Sequence, residues 1–166
     1  MKDLILRLIR RHRASGIIVD TNILLLYFLG RFDPQEIPKF KRTQQFTRED
    51  YGTLVLLLRH FDRLLTTPNI LTEVNSFSGQ MGEPLRTRYF RKLAGEIALV
   101  DEHYLESRHT ADLAQFVKLG LTDAGILSLA QGSRLVLTED FPLAQHLQAL
   151  GIDVINFNHL RVVGWQ

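Results

Sequence analysis

The sequence has no cysteine, which rules out disulfides and thiolate metal sites and makes a reducing compartment, the cytoplasm, the expected setting. It also has no apolar run able to cross a bilayer. The most hydrophobic stretch, GIIVDTNILLLYFLG at 16–30, is too short and carries Asp20 inside it. The opening MKDLILRLIRRHR lacks the continuous apolar core and small-residue cleavage site of a secretory signal, so neither export nor a membrane partner is expected. There is no internal repeat and no low-complexity tract. Nor is there a large excess of charge, the formal balance being +2.

What remains is a chain of 166 residues, long enough to bury roughly two-thirds of its unfolded surface and expected to form one domain over 1–166. Residues 2–14 read as an amphipathic helix, with Leu4, Ile5, Leu8 and Ile9 on one face and arginines largely on the other. Gly16 and IIVD read as a short buried strand leading into an almost wholly apolar helix that ends at Gly30. Residues 31–48, basic and containing Pro34 and Pro38, read as a loop or lid. A helix is expected from Asp50 to about His60, and RLLTT is a weak second strand. Thr67-Pro68 then opens a helix through about Phe77. LRTRYFRKLAGEIA reads as helical, and ALV at 98–100 is the candidate third strand. LTDAGILSLAQG predicts a helix, RLVLT a buried strand, Asp140-Phe141-Pro142 a capped helix ending at Gly151, and DVINF the last strand. Alternating strands and helices predict a three-layer α/β sandwich with a mainly parallel, roughly five-stranded sheet flanked by helices.

A carboxylate within an apolar run costs several kcal/mol unless it is paired, hydrogen-bonded or bound to a cation, so Asp20 needs a partner. In an open parallel sheet ligands bind beyond the carboxyl ends of the strands, where Asp20 and Asp140 both fall. Helical spacing adds Asp123, on the face of Ile126, Leu127 and Ala130, and Glu73, on the face of Ile70 and Phe77. Each acid alone has a structural use as a cap or a dipole partner. Four in one crevice would repel one another and raise their pKa values unless a cation sat among them. Oxygen ligands without cysteine suit Mg²⁺ or Mn²⁺, and such a site can orient and ionise a water and neutralise charge on a phosphodiester, the chemistry of a nuclease. Thr21, Asn22 and Thr138 are placed to hold the carboxylates or a bound water.

The order IIVDTN, TPNILTEV, GLTDAGILSLA and LVLTEDFPLA, spanning Gly16 to about Phe157, resembles the PIN domain, a nuclease family with a metal site of three or four acidic residues. The resemblance implies Asp20, Glu73, Asp123 and Asp140 as the metal-binding catalytic set, supported by Thr138 and Asn22. It implies a parallel sheet flanked by helices, cleavage of single-stranded RNA by a metal-activated water, and a homodimer. It also raises a toxin role with a cognate antitoxin or inhibitor protein. The N-terminal helix and segment 31–48 are additions to the compact toxin members. Family spacing favours Asp140 as the last acid, while the adjacent Glu139 can also reach a metal.

Three basic clusters point to a polyanion such as RNA: Arg7 to Arg13, then Lys39, Lys41, Arg42 and Arg48, then Arg86, Arg88, Arg91 and Lys92. Phe32, Phe40, Phe46 and Tyr51 interleave with them and are candidates to stack bases, whereas Tyr27 and Phe28 are expected in the core. The six histidines form no ligand pair at helical spacing and are read as surface or satisfied residues. The rival to a nuclease is a catalytically silent PIN-like module that binds RNA or protein. A phosphotransfer domain is disfavoured, because DTN lacks a second aspartate two residues on and no lysine follows a late strand.

Overall fold

The computed structural model describes residues 2–163, so residues 1 and 164–166 of the expected 1–166 domain lie outside the described residues. Five strands, β1 (Ile17–Val19), β2 (Leu64–Thr66), β3 (Asp101–Glu102), β4 (Leu135–Thr138) and β5 (Val154–Asn156), form one sheet in the order β3-β2-β1-β4-β5. All pairings are parallel. Residues of β1, β4 and β5 are buried without alternation, as befits strands covered on both faces. A three-layer α/β sandwich results.

The chain moves outward in one direction from β1 to β3, then crosses to β4 and β5 on the other side of β1. Right-handed crossovers send the two sets of connections to opposite faces of the sheet. The boundary between β1 and β4 is therefore the topological switch point, and the carboxyl ends of these two strands open onto one crevice.

On one side, α2 (Thr21–Phe32) packs against α3 (Arg48–Leu58), α4 (Pro68–Ser78) and α5 (Leu85–Ile97). On the other side of the switch, α7 (Phe116–Ala130) packs against α8 (Phe141–Ala149). The first helix, α1 (Lys2–His12), buries Ile5, Leu8, Ile9 and His12, an i, i+3, i+4, i+7 spacing, and leaves its arginines in solvent. Leu4, expected on that buried face, is exposed. Sequence caps mark the helix starts as expected: Thr67 accepts from the Ile70 N–H ahead of Pro68, and Asp140 accepts from the Leu143 N–H.

Several expectations are corrected. The third strand is Asp101–Glu102, paired with Leu65 and Thr66, and not ALV at 98–100. Residues 98–100 form the turn after α5, where Leu99 is 73% exposed, and the charged two-residue strand suits a sheet edge. Phe157, read as the end of the last strand, instead opens α9 (Phe157–Val163), and a short helix α6 (Ser107–Ala111) precedes α7. Segment 31–48 is not a free lid. It contains a 3-10 turn at Pro34–Glu36 and successive tight turns, and the Thr43 hydroxyl donates to the Ile37 carbonyl at 2.8 Å. Ile37, Phe40, Thr43 and Phe46 are buried, so Phe40 and Phe46 serve the core and cannot stack bases.

Candidate active site

Asp20 follows β1 directly and is 8% exposed. Its Oδ1 accepts from the Thr21 N–H at 2.6 Å, capping α2, and its Oδ2 accepts from the Thr138 hydroxyl at 2.6 Å. Burial pushes its carboxyl up, the two hydrogen bonds oppose that, and the charges of Asp140 and Glu73 raise it further, leaving it above the ordinary value. The need for a partner is thus met in part by protein groups from β4 and α2.

Glu73 projects from α4 and is held by two hydroxyls. Thr21 donates to its Oε2 at 2.8 Å and Thr122 to its Oε1 at 2.6 Å. The second contact joins α4 to α7 across the crevice. Thr122 and Asp123 stand just beyond Gly120, whose φ of 74° and ψ of −178° break α7. That conformation is open essentially to glycine alone. The break starts a new helical run with Thr122 and Asp123 in its first turn, which explains why LTDAGILSLA reads as a separate helix.

Asp123 is half-buried, and among the described residues no group donates a hydrogen bond to its carboxyl. Desolvation, then the charges of Asp20, Asp140 and Glu73, push it up to about 7. Four acids from four elements therefore lie within one another's electrostatic reach at the switch point. Asp140 is the most open of them. Its Oδ1 caps α8, and its backbone N–H donates to the Thr138 hydroxyl at 3.0 Å.

Glu139, which lines a space of about 360 Å³ together with Asp140, is bound by amides. Asn22 donates to its Oε1 at 3.0 Å, and the Gln45 amide donates to Oε1 and Oε2 at 2.9 and 3.0 Å. Its backbone carbonyl accepts from Asn158 at 3.0 Å. Burial and the charge of Asp20 raise the Glu139 carboxyl above its ordinary value, against the amide bonds and the charge of Arg161. Glu139 and Asn22, both expected beside the metal, form an amide-bound pair that lines a neighbouring cavity and also borders, with Asp140, the space at the start of α8. The charge of Asp140 acts on both Asp20 and Asp123, while Glu139 feels the charge of Asp20.

That cavity, of about 390 Å³, is bounded by Asn22, Lys41, Arg42, Gln45, Gln80 and Glu139. Of the basic residues expected to meet RNA, Lys41 and Arg42 are brought to it. Lys39 pairs with Glu36 at 2.8 Å and lines a separate groove with Phe40 and Met81. Arg86 pairs with Glu83 and covers the Phe90 ring, Arg88 lies over Phe32, and Arg48 is exposed on α3; none of these three lines the cavity. Thr122, Gln45 and Arg161 were not anticipated. Thr122 carried a signal, a hydroxyl beside an acid in a predicted first turn, but Gln45 and Arg161 carried none. Arg161 pairs with Asp50 at 3.0 Å and donates to the Gln45 carbonyl at 2.7 Å, which ties α9 to the cavity wall.

Among the described residues, no three or more His, Cys, Asp or Glu side chains are grouped as a ready set of metal ligands. The donor chemistry nonetheless suits a hard divalent cation. All four groups are carboxylates, they repel one another, and Asp123 lacks a hydrogen-bond donor that would satisfy its ionised form. A second cavity, about 330 Å³ and lined by His12, Ser133, Arg134 and Asp153, lies at the amino-terminal ends of the strands, away from these acids. No family model matches the chain, and no curated protein matches it. No helix among the described residues is long and apolar enough to cross a membrane.

Proposed function

We propose that the chain is a PIN-like endoribonuclease that hydrolyses phosphodiester bonds of single-stranded RNA with Mg²⁺ or Mn²⁺ as cofactor. The observation that carries this reading is the convergence of Asp20, Glu73, Asp123 and Asp140 beyond the carboxyl ends of β1 and β4. A divalent cation held there by Asp20, Asp123 and Asp140, with Glu73 beside them, supplies positive charge against the phosphodiester and acidifies water. Thr138 orients Asp20, while Thr21 and Thr122 orient Glu73. Asp123, free of hydrogen-bond donors and raised to about 7 in the metal-free protein by burial and by the other acids, is the carboxyl that would gain most from a cation. Lys41 and Arg42 supply positive charge to the strand alongside.

The decisive experiment compares cleavage of single-stranded RNA by wild type with Mn²⁺, by wild type with chelator, and by Asp20→Asn and Asp123→Asn with Mn²⁺. Cleavage confined to the first arm supports the reading, and cleavage that persists in both variants removes it.

Two observations favour a catalytically silent binding module: among the described residues the acids are not grouped as ready ligands, and Asp20 and Asp140 both have structural work as helix caps. Calorimetric titration with Mn²⁺ separates the two readings. Saturable binding that is lost in Asp20→Asn belongs to the nuclease, and no binding at millimolar metal belongs to the silent module.

A further inference from the structure

The cavity beside the acids combines charged groups that form no ion pair among the described residues. Glu139 lines it, and the hydrogen-bond partners of its two carboxylate oxygens are neutral amides, those of Asn22 and Gln45, with the charge of Arg161 acting from further off. Lys41 and Arg42 make no ion pair among the described residues. Arg42 is nonetheless held in place, its guanidinium 4.2 Å from the centre of the Phe77 ring and its Nε donating to the Gln80 side chain at 3.1 Å. A carboxylate and two unpaired cations thus line one polar space of about 390 Å³. Gln45 is exposed and spans both carboxylate oxygens with one amide nitrogen, so an incoming group can replace it without opening the core.

We infer that this cavity is a base-recognition subsite that takes one guanine of a single-stranded RNA, with Glu139 as the specificity-determining residue. The inference rests on the nuclease reading of the adjoining acids. Guanine is the base whose pairing edge sets two donors side by side, N1–H and the exocyclic N2–H, in the spacing of a carboxylate's two oxygens. Its O6 and N7 are acceptors suited to arginine or lysine. Adenine and cytosine each offer one amino nitrogen, and uracil a single N–H, so each leaves a Glu139 oxygen without a base donor. Gln45 in the free protein occupies the place of the two guanine donors.

The test is binding of roughly eight-nucleotide uridine strands carrying one central guanine, adenine or cytosine, or none, followed by fluorescence anisotropy with chelator present so that no strand is cut. The full chain is expected to bind the guanine strand about tenfold more tightly than the others. Glu139→Gln is expected to erase that difference, and Gln45→Ala to widen it by freeing the carboxylate. Equal binding of all four strands overturns the proposal, as does a guanine preference that survives Glu139→Gln. Should circular dichroism show Glu139→Gln unfolded, Gln45→Ala decides, and an unchanged preference in that variant overturns the proposal. Metal-dependent cleavage with no base preference defeats the subsite and leaves the nuclease reading standing. Guanine-selective binding by a chain that cuts nothing in Mn²⁺ defeats the nuclease reading and keeps the subsite.

Discussion

Thr138 donates its hydroxyl to Asp20 Oδ2 at 2.6 Å, and the Thr138 hydroxyl oxygen accepts from the Asp140 backbone N–H at 3.0 Å. One side chain at the end of β4 therefore holds the carboxylate that ends β1 and the start of the turn that carries the next acid. The switch point is a hydrogen-bonded junction as well as a topological one. Because Thr138 is fully buried, neither bond can be replaced by water without local opening.

Thr138→Val keeps the shape and removes both bonds. Leaving Asp20 and the Asp140 N–H short of a partner is expected to cost about 1–3 kcal/mol, which lowers Tm by roughly 2–4 °C per kcal/mol for a chain of this size. Affinity for Mn²⁺ is expected to fall about 10–100-fold, as when other groups that orient ligands are removed. Calorimetry on both properties checks this, and an unchanged Mn²⁺ affinity would show that the hydroxyl does not orient Asp20 for a metal.

The raised carboxyl of Asp123 makes a signed prediction for the metal-free protein. An acid raised from 3.8 in the unfolded chain to about 7 in the folded one keeps its proton longer when folded. Stability is thus lost as pH rises from about 4 to about 7 and stays at the lower level above that. Asp123→Asn removes the titration, so the variant is expected to exceed wild type in Tm at pH 8 by more than it does at pH 5. Saturating Mn²⁺ should reverse the order at pH 8 by stabilising wild type alone. Thermal melts at the two pH values, with and without metal, read both effects, and a pH-independent difference would count against the shared field of the four acids.

Much of the architecture was legible in the residues because its signals are local. IIVD and RLVLT are uninterrupted apolar runs, Thr67-Pro68 and Asp140-Phe141-Pro142 carry their own helix starts, and Gly120 separates LTDAGILSLA from what precedes it. Where partners decide, the reading failed. Asp101–Glu102 became a strand because Leu65 and Thr66 offer an open sheet edge, while ALV, though apolar, only turns the chain. Phe40 and Phe46 lie among basic and polar residues, and nothing nearby in the chain announces that distant helices bury them; Phe46 packs edge-on to Phe157. The acids could be gathered from topology, but the division between Asp140, whose charge acts on Asp20 and Asp123, and Glu139, bound by Asn22 and Gln45, depends on side-chain direction in a turn. Spacing could not assign it.

Gly120 offers a test of how the site is aimed. A Cβ at this position would meet open space, so Gly120→Ala creates no clash and its effect isolates the backbone conformation. Forcing alanine into φ 74° and ψ −178° costs about 1–3 kcal/mol or moves the break. The strain lowers stability, and a moved break displaces Thr122 from Glu73 and Asp123 from the other acids. Lower Tm together with weaker Mn²⁺ binding is expected. A variant as stable as wild type, with the same affinity, would mean that the break does not position these residues.

The opposite end of the sheet supplies a contrast that separates folding from function. His12, 3% exposed, places Nε2 at 2.7 Å from Asp153 and Nδ1 at 3.1 Å from the Ser133 carbonyl, joining α1 to the chain ahead of β4 and β5. Burial pushes the Asp153 carboxyl up, but the bonds from His12 and Arg11 outweigh it and hold that carboxyl below its ordinary value. A depressed acid contributes stability that is fully present above its unfolded value of 3.8 and is lost as pH falls through its folded value. His12→Leu leaves the Ser133 carbonyl and Asp153 without that partner and is expected to cost about 1–3 kcal/mol at pH 7. The cost should shrink below pH 4, where protonated Asp153 no longer gains from the contact. Because this cluster lies at the amino-terminal ends of the strands, Mn²⁺ affinity measured below the melting transition should match that of wild type. A His12→Leu chain that melts early yet binds metal normally separates the two ends of the sheet, whereas loss of both together would show that α1 supports the acids as well as the fold.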